Sequence, residues 1–304
     1  MFLPLMGYKP DPQGTEDYLA TLSHPTLATA GPDLELDETR DVFLGHALLS
    51  VDPTWKRGAQ SIGSCVGHAW AGACTVLQAC DIVCRGERES YGGRVLEAAV
   101  YGFARVEVGN NGQPNRGGDG SYGGAAARGV TQFGTLCCGQ DYAGKVFTES
   151  TGRLETDWGR YGVPNELEPF AAQHKVAEAV LVKDFESAAA AIQGGAYPVA
   201  VCSGQGFSMT MKNGALTPMG KWSHAMLFMG VRWKPEPALY CLNSWGDCYS
   251  GTVDKTLPVA FQRSGGWVSA STCSLMLRGE DSFALSGYSG FAPRTLPDWL
   301  GGVI

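Results

Sequence analysis

A run of small and apolar residues from Cys65 to about Arg85 places the strongest constraint on how this chain can fold. A subset of its apolar residues recurs at helical spacing, and apolar residues also occupy the other faces: Cys65, Ala69, Ala73, Val76 and Cys80. A helix that is apolar all round must be covered by other elements on every side. The sequence therefore predicts a buried central helix that ends near Gly86.

Composition supports a large core and excludes several classes of protein. The chain has 304 residues, of which 44% are hydrophobic, so it can enclose such a helix. A net charge of −7 and the absence of basic runs argue against nucleic-acid binding. No uncharged apolar run reaches the roughly 18 residues of a membrane span, and the N-terminus lacks the features of a secretion signal. We expect a soluble protein that is cytoplasmic or virion-associated.

The ten cysteines do not indicate a disulfide scaffold or a metal site. Disulfide-rich scaffolds are small chains that need covalent support, whereas this chain has ample core, so we expect mostly reduced thiols. The spacings of Cys74, Cys80 and Cys84, and the adjacent pair Cys137 and Cys138, match no zinc ribbon or zinc finger. The sequence predicts neither a metal nor a cofactor.

The periodicity of the chain changes near its middle. The first 50 residues are rich in Pro, Asp, Glu and Thr with little periodicity, which is typical of an extended arm. After residue 50, the predicted elements form a helical half followed by a β-rich half. The predicted helices are Val95–Phe103 and Phe185–Ile192, with a short one at Ala125–Val130, and the predicted strands are Pro198–Val201, His224–Val231 and Ala238–Leu242.

The residue types around Cys65 suggest nucleophilic chemistry. A cysteine in the first helical turn sits where backbone amides and the helix dipole favour a thiolate. His224 begins an apolar strand and could serve as a base, and Asn243 has a side-chain oxygen that could hold the imidazole. The three residues lie far apart in sequence, so the hypothesis requires the fold to bring them together.

The segment from Gly7–Asp11 through Asp17 and Tyr18 resembles the entry segment of bacterial and phage-type papain-family cysteine peptidases, and three short blocks carry a resemblance to that family as a whole. These blocks are GSCVGHAW around Cys65, WSHAM around His224 and LNSWG around Asn243, in the order of that family. The resemblance covers about residues 7 to 280. It implies a two-lobed α+β fold, with the active-site cleft between a helical lobe and a β-barrel-like lobe. The implied divisions are an N-terminal arm (1–50), a helical lobe (51–165), a β-rich lobe (166–280) and a C-terminal tail (281–304).

The resemblance also implies roles for individual residues. Cys65 would be the nucleophile, His224 the general base and acid, and Asn243 the residue that orients the imidazole. Trp245 would shield the bond between Asn243 and His224 from water. His68, one turn after Cys65, is instead predicted to be structural.

Two further roles follow from the same resemblance. Gln60 would contribute the oxyanion donor, although it lies five residues before Cys65, one residue closer than is usual in that family. Gly123 and Gly124 belong to a glycine-rich stretch placed like the substrate loop of that family, and they would form a backbone ladder for substrate.

The expected activity is hydrolysis of a peptide or isopeptide bond in a polypeptide, through a thioester acyl-enzyme. An alternative is a structural component of a larger assembly, such as a phage particle, with the arm and tail contacting its neighbours. Its support is that only 17% of residues are charged and that Gln60 is out of register. A transglutaminase-like or peptidoglycan-amidase function is a third hypothesis, which the LNSWG block disfavours.

Overall fold

The long helix expected at Cys65 is the central element of the structure, a computed structural model that describes residues 5–30, 34 and 36–292. This helix, α4, spans Cys65–Val83, and every residue in it except Val83 is buried. It packs against helices on one side and against three strands of the main sheet on the other. Its apolar composition on all faces is therefore explained by cover on all faces.

The remaining helices precede and follow α4 in the sequence. Two of them continue directly as π-helical turns, α5 through Phe103–Val108 and α6 through Gly129–Phe133. The α-helices are α1 Pro12–Leu19, α2 Leu27–Ala30, α3 Gly45–Val51, α5 Glu97–Gly102, α6 Gly123–Arg128, α7 Gly152–Tyr161, α8 Glu168–Ala171, α9 Phe185–Gly195 and α10 Ala270–Leu277, with a short 3₁₀ turn at Val259–Phe261.

The strands form one large antiparallel sheet and two small ribbons. In the large sheet the order is β10-β8-β7-β5-β11-β4, and β1 also pairs with β7. The ribbons pair β2 with β3 and β6 with β9. The strands are β1 Val42–Phe43, β2 Asp141–Tyr142, β3 Lys145–Val146, β4 Val176–Leu181, β5 Val199–Phe207, β6 Thr210–Met211, β7 Pro218–Arg232, β8 Ala238–Leu242, β9 Ser250–Gly251, β10 Gly265–Ser269 and β11 Phe283–Tyr288.

The mixed α+β class is as predicted, but the β-rich part differs from the barrel-like expectation. Within residues 5–30, 34 and 36–292 the large sheet is open rather than closed. Its inner face covers α4, while α5, α7 and the π-helical turns enclose a second, smaller core. No helix in the described part of the chain is both long and apolar enough to cross a membrane.

The two ends of the chain contribute more regular structure than the sequence suggested. The first 50 residues contain helices α1 and α3, and strand β1 joins the large sheet, so this segment is not simply extended. The expected C-terminal tail from residue 281 includes β11, which lies between β5 and β4. Residues 293–304 of that tail lie outside the described residues.

The crossing of α4 and α5 yields a stability prediction. A Cβ added at Gly67 would lie 2.7 Å from the Tyr101 Cβ and 3.0 Å from the Glu97 carbonyl oxygen, both held on a helix backbone. We expect Gly67→Ala to lower the free energy of unfolding by about 1–3 kcal/mol through overpacking. An exposed helical glycine would instead gain about 1 kcal/mol from the same change. Urea denaturation measures the difference.

Gly129→Ala is the matched control, since its added Cβ would be 3.5 Å from the nearest atom, the Phe103 Cβ. That is ordinary van der Waals contact, so we expect no loss of stability. Equal destabilisation by the two substitutions would contradict the overpacking explanation.

Candidate active site

His224 and Asn243 form a buried hydrogen-bonded pair on neighbouring strands. His224 lies in β7, and Asn243 follows the last residue of β8, which pairs with β7. The His224 Nε2 lies 2.8 Å from the Asn243 Oδ1, and because an amide oxygen only accepts, Nε2 carries the proton. The other ring nitrogen, Nδ1, is buried and has no hydrogen-bond partner among the described residues. Its lone pair is therefore free to accept a proton.

The Asn243 side chain is held in one orientation by further contacts. Its Oδ1 also accepts from the backbone amide of Ser244 at 2.7 Å, and its Nδ2 donates to the Tyr249 hydroxyl at 2.9 Å. These bonds distinguish the amide oxygen from the amide nitrogen, so the oxygen faces His224.

Cys65 is the first residue of α4 and is completely buried. Burial raises the pKa of its thiol to about 11. The backbone N–H groups of Ala225 and Gly7, and those of the first helical turn, stabilise the thiolate and oppose this rise. Ala225 follows His224 directly, so the sulfur lies beside the strand that carries the histidine.

Burial also lowers the pKa of His224 to about 4. The hydrogen bond to Asn243 opposes this decrease, while the charges of His68 and Arg57 add to it. With the thiol pKa of Cys65 raised, the two groups are a neutral thiol and a neutral imidazole at pH 7. The expectation of a thiolate at the helix start is wrong for this covered state, because loss of water outweighs the helix dipole.

Trp245 covers the face of the histidine ring. Its indole stacks on the His224 imidazole with 4.4 Å between ring centroids and an interplanar angle of 29°. Trp222 contacts both rings edge-on. The imidazole is thereby separated from water on this side.

Gln60 lies against the loop that carries Asn243. The Gln60 backbone amide donates to the Ser244 carbonyl at 2.8 Å, and the Ser244 hydroxyl donates to the Gln60 Oε1. The Gln60 Nε2 donates to the Ile62 carbonyl at 2.9 Å and to the Leu5 carbonyl at 3.2 Å. The Trp245 Nε1 donates to the same Leu5 carbonyl at 3.1 Å. The Gln60 side-chain amide therefore points its Nε2 toward the Leu5 backbone carbonyl, which lies over the site.

That carbonyl belongs to residues 5–9, which we call the N-terminal strap. The Ser223 carbonyl, next to His224, accepts from the Gly7 amide at 3.2 Å and the Tyr8 amide at 3.1 Å. The strap is therefore bonded to β7 at the residue before His224, beside the thiol and the imidazole, which are both fully buried.

Ser121 and Gly63 hold the strap on its other side. The Lys9 amide donates to the Ser121 carbonyl at 2.8 Å, and the Ser121 amide donates to the Gly7 carbonyl at 2.9 Å. A Cβ added at Gly7 would lie 1.8 Å from the Gly63 carbonyl oxygen. Only glycine fits at this point of the strap.

The assignment of Gly123 and Gly124 to a substrate ladder is corrected by their hydrogen bonds. Both amides donate to the buried Asp281 carboxylate at 2.7 Å, at the start of α6. The hydroxyl of Thr15 donates to the same carboxylate, and burial raises the pKa of Asp281 to about 6. Ser121, earlier in the glycine-rich stretch, pairs its backbone with the strap instead.

Glu155 is a second buried carboxylate that the sequence did not reveal. It accepts from the Ser64 hydroxyl at 2.5 Å and lies 2.9 Å from the His68 Nε2. Ser64 is the residue just before α4 and His68 lies in its first turn, so Glu155 fixes the start of the helix on either side of Cys65. This contact accounts for His68 in structural terms, as expected.

The described residues contain no group of three or more His, Cys, Asp or Glu side chains placed to hold a metal ion. All ten cysteines lie within that part of the chain and are free thiols.

Comparison with known proteins identifies the fold. No protein-family model and no curated protein matches the sequence. Among solved structures, xylellain, a cysteine protease from Xylella fastidiosa, is similar at 15% identity with a TM-score of 0.52, over 94% of this chain and 93% of that one. ProCathepsin B S9 from Trypanosoma congolense is similar at 13% identity with a TM-score of 0.51, over 96% and 87%. Digestive procathepsin L2 from Tenebrio molitor gives 15% identity and a TM-score of 0.50, over 93% and 84%. The chain therefore has the papain-like cysteine peptidase fold.

Proposed function

We propose that this protein is a papain-like cysteine peptidase that hydrolyses a peptide or isopeptide bond in a polypeptide. The observation that carries the proposal is the His224–Asn243 pair, which leaves a buried, unpartnered Nδ1 beside the strand that contacts the Cys65 sulfur. Nucleophilic catalysis by cysteine requires a base held within reach of the thiol, and a fixed imidazole with one free nitrogen, on the strand whose backbone contacts the sulfur, fits that requirement.

In the proposed first step the Cys65 thiol gives its proton to the His224 Nδ1, and the sulfur attacks the substrate carbonyl carbon. The negative charge that develops on the carbonyl oxygen is stabilised by the Gln60 Nε2 and the Cys65 backbone amide. The tetrahedral intermediate then collapses, and the leaving amine takes the proton from the imidazolium. The product is a thioester between Cys65 and the acyl part of the substrate.

In the second step His224 removes a proton from water, which attacks the thioester carbonyl. Collapse of this intermediate releases the carboxylic acid, and the sulfur recovers its proton from the imidazolium. Asn243 keeps the ring in the same orientation through both steps, so that one nitrogen serves as base and acid in turn.

The alternative is a structural component of a larger assembly that retains the fold without activity. The complete burial of Cys65 beneath the N-terminal strap favours it, because a covered neutral thiol cannot react. The two functions differ in what happens when the strap is displaced. A peptidase then acquires a reactive thiol, whereas an inactive protein gains only exposed surface.

Displacement of the strap gives the first test. Gly7→Ala cannot be accommodated against the Gly63 carbonyl, so we expect the strap to detach and Cys65 to become accessible. The strap makes four backbone hydrogen bonds with Ser223 and Ser121, and the loss of two to four of them at roughly 1 kcal/mol each corresponds to alkylation that is about 30- to 1000-fold faster. Iodoacetamide labelling at pH 7.5 with mass-spectrometric mapping measures this rate. The exposed Cys84, whose pKa is lowered to about 6 chiefly by its hydrogen bond with Cys80, provides an internal reference.

Gly118→Ala is the control for this test, since an added Cβ there has no atom within 4 Å. Its Cys65 should label as slowly as the unaltered protein. If Gly7→Ala and Gly118→Ala give the same slow rate, the strap does not protect the thiol.

A second test concerns the oxyanion donor. In the Gly7→Ala protein, Gln60→Ala should lower kcat for internally quenched peptides by about 10²- to 10³-fold and change KM little, because the bond forms in the transition state. Gln132→Ala, at an exposed glutamine remote from Asn243, should have no effect. Hydrolysis unaffected by Gln60→Ala would remove that residue from the mechanism, and no Cys65-dependent hydrolysis in any variant would favour the structural alternative.

A further inference from the structure

Arg57 joins the two parts of the chain that supply the candidate catalytic residues. It lies in the segment before α4, and its Nε donates to the backbone carbonyl of Asn243 at 2.8 Å. Its Nη2 donates to the backbone carbonyl of His68, one turn after Cys65, at 3.3 Å. A single guanidinium thus bonds both the loop that orients the histidine and the helix that carries the cysteine.

The surroundings hold this guanidinium in place. An added Cβ at Gly72 would lie 3.1 Å from the Arg57 Nη1, so the absence of a side chain on α4 makes room for it. Burial lowers the pKa of Arg57 to about 10, and the charge of Glu97 opposes that decrease. At neutral pH Arg57 therefore remains a cation between the helix and the loop.

We propose that Arg57 is a positioning residue for the Cys65–His224–Asn243 site, acting through the Asn243 carbonyl and the first turns of α4. The inference rests on the proposed function. Arg57 does not touch the reacting atoms. It fixes the distance between the loop and the helix, which no hydrogen bond within either element can do.

The contacts of Asn243 show why its carbonyl matters. Its backbone amide donates to the Ser264 carbonyl at 2.8 Å, and its Oδ1 accepts from the Ser244 amide and from His224. The bond from the Arg57 Nε holds the carbonyl oxygen of Asn243, the one backbone group of this residue that the other contacts leave free to move. If the peptide rotates, the Oδ1 leaves the Nε2 of His224, and the imidazole loses its fixed orientation.

Arg57 also affects His224 electrostatically. The charged groups that act on His224 are His68 on α4 and Arg57 before it, while Asn243 is its hydrogen-bond partner. The charge of Arg57 disfavours the imidazolium, so its removal should raise the pKa of His224. A purely steric role would leave that pKa unchanged.

Three single variants of the full chain separate these effects. Arg57→Gln removes both the positive charge and the guanidinium N–H donors that bond the two carbonyls. Arg57→Lys keeps the charge but loses the guanidinium geometry, and Arg94→Gln is the control. Arg94 lies in the same region, with its Nε 3.8 Å from the Glu97 Oε1, and within the described part of the chain it makes no hydrogen bond to Asn243 or His68. The readout is ¹⁵N-histidine NMR, with the signals of the five histidines assigned by substitution.

In the unaltered protein we expect a slowly exchanging His224 Nε2–H signal and a titration displaced to low pH. Arg57→Gln should lose the protected signal and titrate at higher pH. Arg57→Lys should retain the low-pH titration with a weakened or shifted Nε2–H signal, and Arg94→Gln should match the unaltered protein. An unchanged Nε2–H signal and titration in Arg57→Gln would overturn the proposal.

A measurement on the unaltered protein covers the case in which Arg57→Gln does not fold. The Arg57 Nε–H should exchange slowly with solvent because it is bonded to the Asn243 carbonyl, and rapid exchange would also overturn the proposal. None of these readouts depends on turnover. If the signals behave as expected and no variant hydrolyses peptides, the proposed function fails and the positioning role stands. If hydrolysis occurs and Arg57→Gln leaves the signals and kcat unchanged, the positioning role fails and the proposed function stands.

Discussion

The complete burial of α4 is the constraint on which the rest of the structure depends. A 19-residue helix with buried residues on every face needs a sheet on one side and helices on the other. The start of this helix must then lie in the interior, where it meets β7. Cys65 and the strand that carries His224 come together at that point because both belong to the same packed interface.

The same burial controls the chemistry of the site. Removal of water raises the pKa of Cys65 and lowers that of His224, so neither group is charged while the strap lies over them. Under the proposed function, the fold supplies the geometry for a nucleophile and a base, and the strap sets the dielectric environment in which they sit. On that proposal, hydration of the site, rather than a rearrangement of Asn243, is the change that allows proton transfer.

Local pattern predicted those features that depend on local sequence. The long apolar run predicted α4, and a short apolar run predicted β8 with its bounds. The three blocks around Cys65, His224 and Asn243 pointed to residues that α4, β7 and the end of β8 bring close together. These features are encoded by helix periodicity, strand composition and short motifs, each within a few residues of chain.

The remaining features depend on contacts between distant residues, which local pattern does not encode. Asp281 occupies the amides of Gly123 and Gly124 from more than 150 residues away, and Gly7 reaches Ser223 across a still longer separation. No local pattern in the sequence marks Asp281 or Gly7 as the partner in such a contact. Strand β11 was missed for a related reason, since its short run is interrupted by a glycine and takes its place only by pairing with β4 and β5.

The account depends most directly on Cys65 being a nucleophile that His224 can activate. Incubation of the Gly7→Ala protein with a p-nitrophenyl ester, followed by an acid quench and peptide mapping, would trap the acyl-enzyme as a thioester. We expect Cys65 to be acylated to completion and faster than the exposed Cys84, and to lose this acylation when His224→Ala is added while Cys84 is unaffected. Acylation spread over the other thiols, or none on an accessible Cys65, would contradict the account.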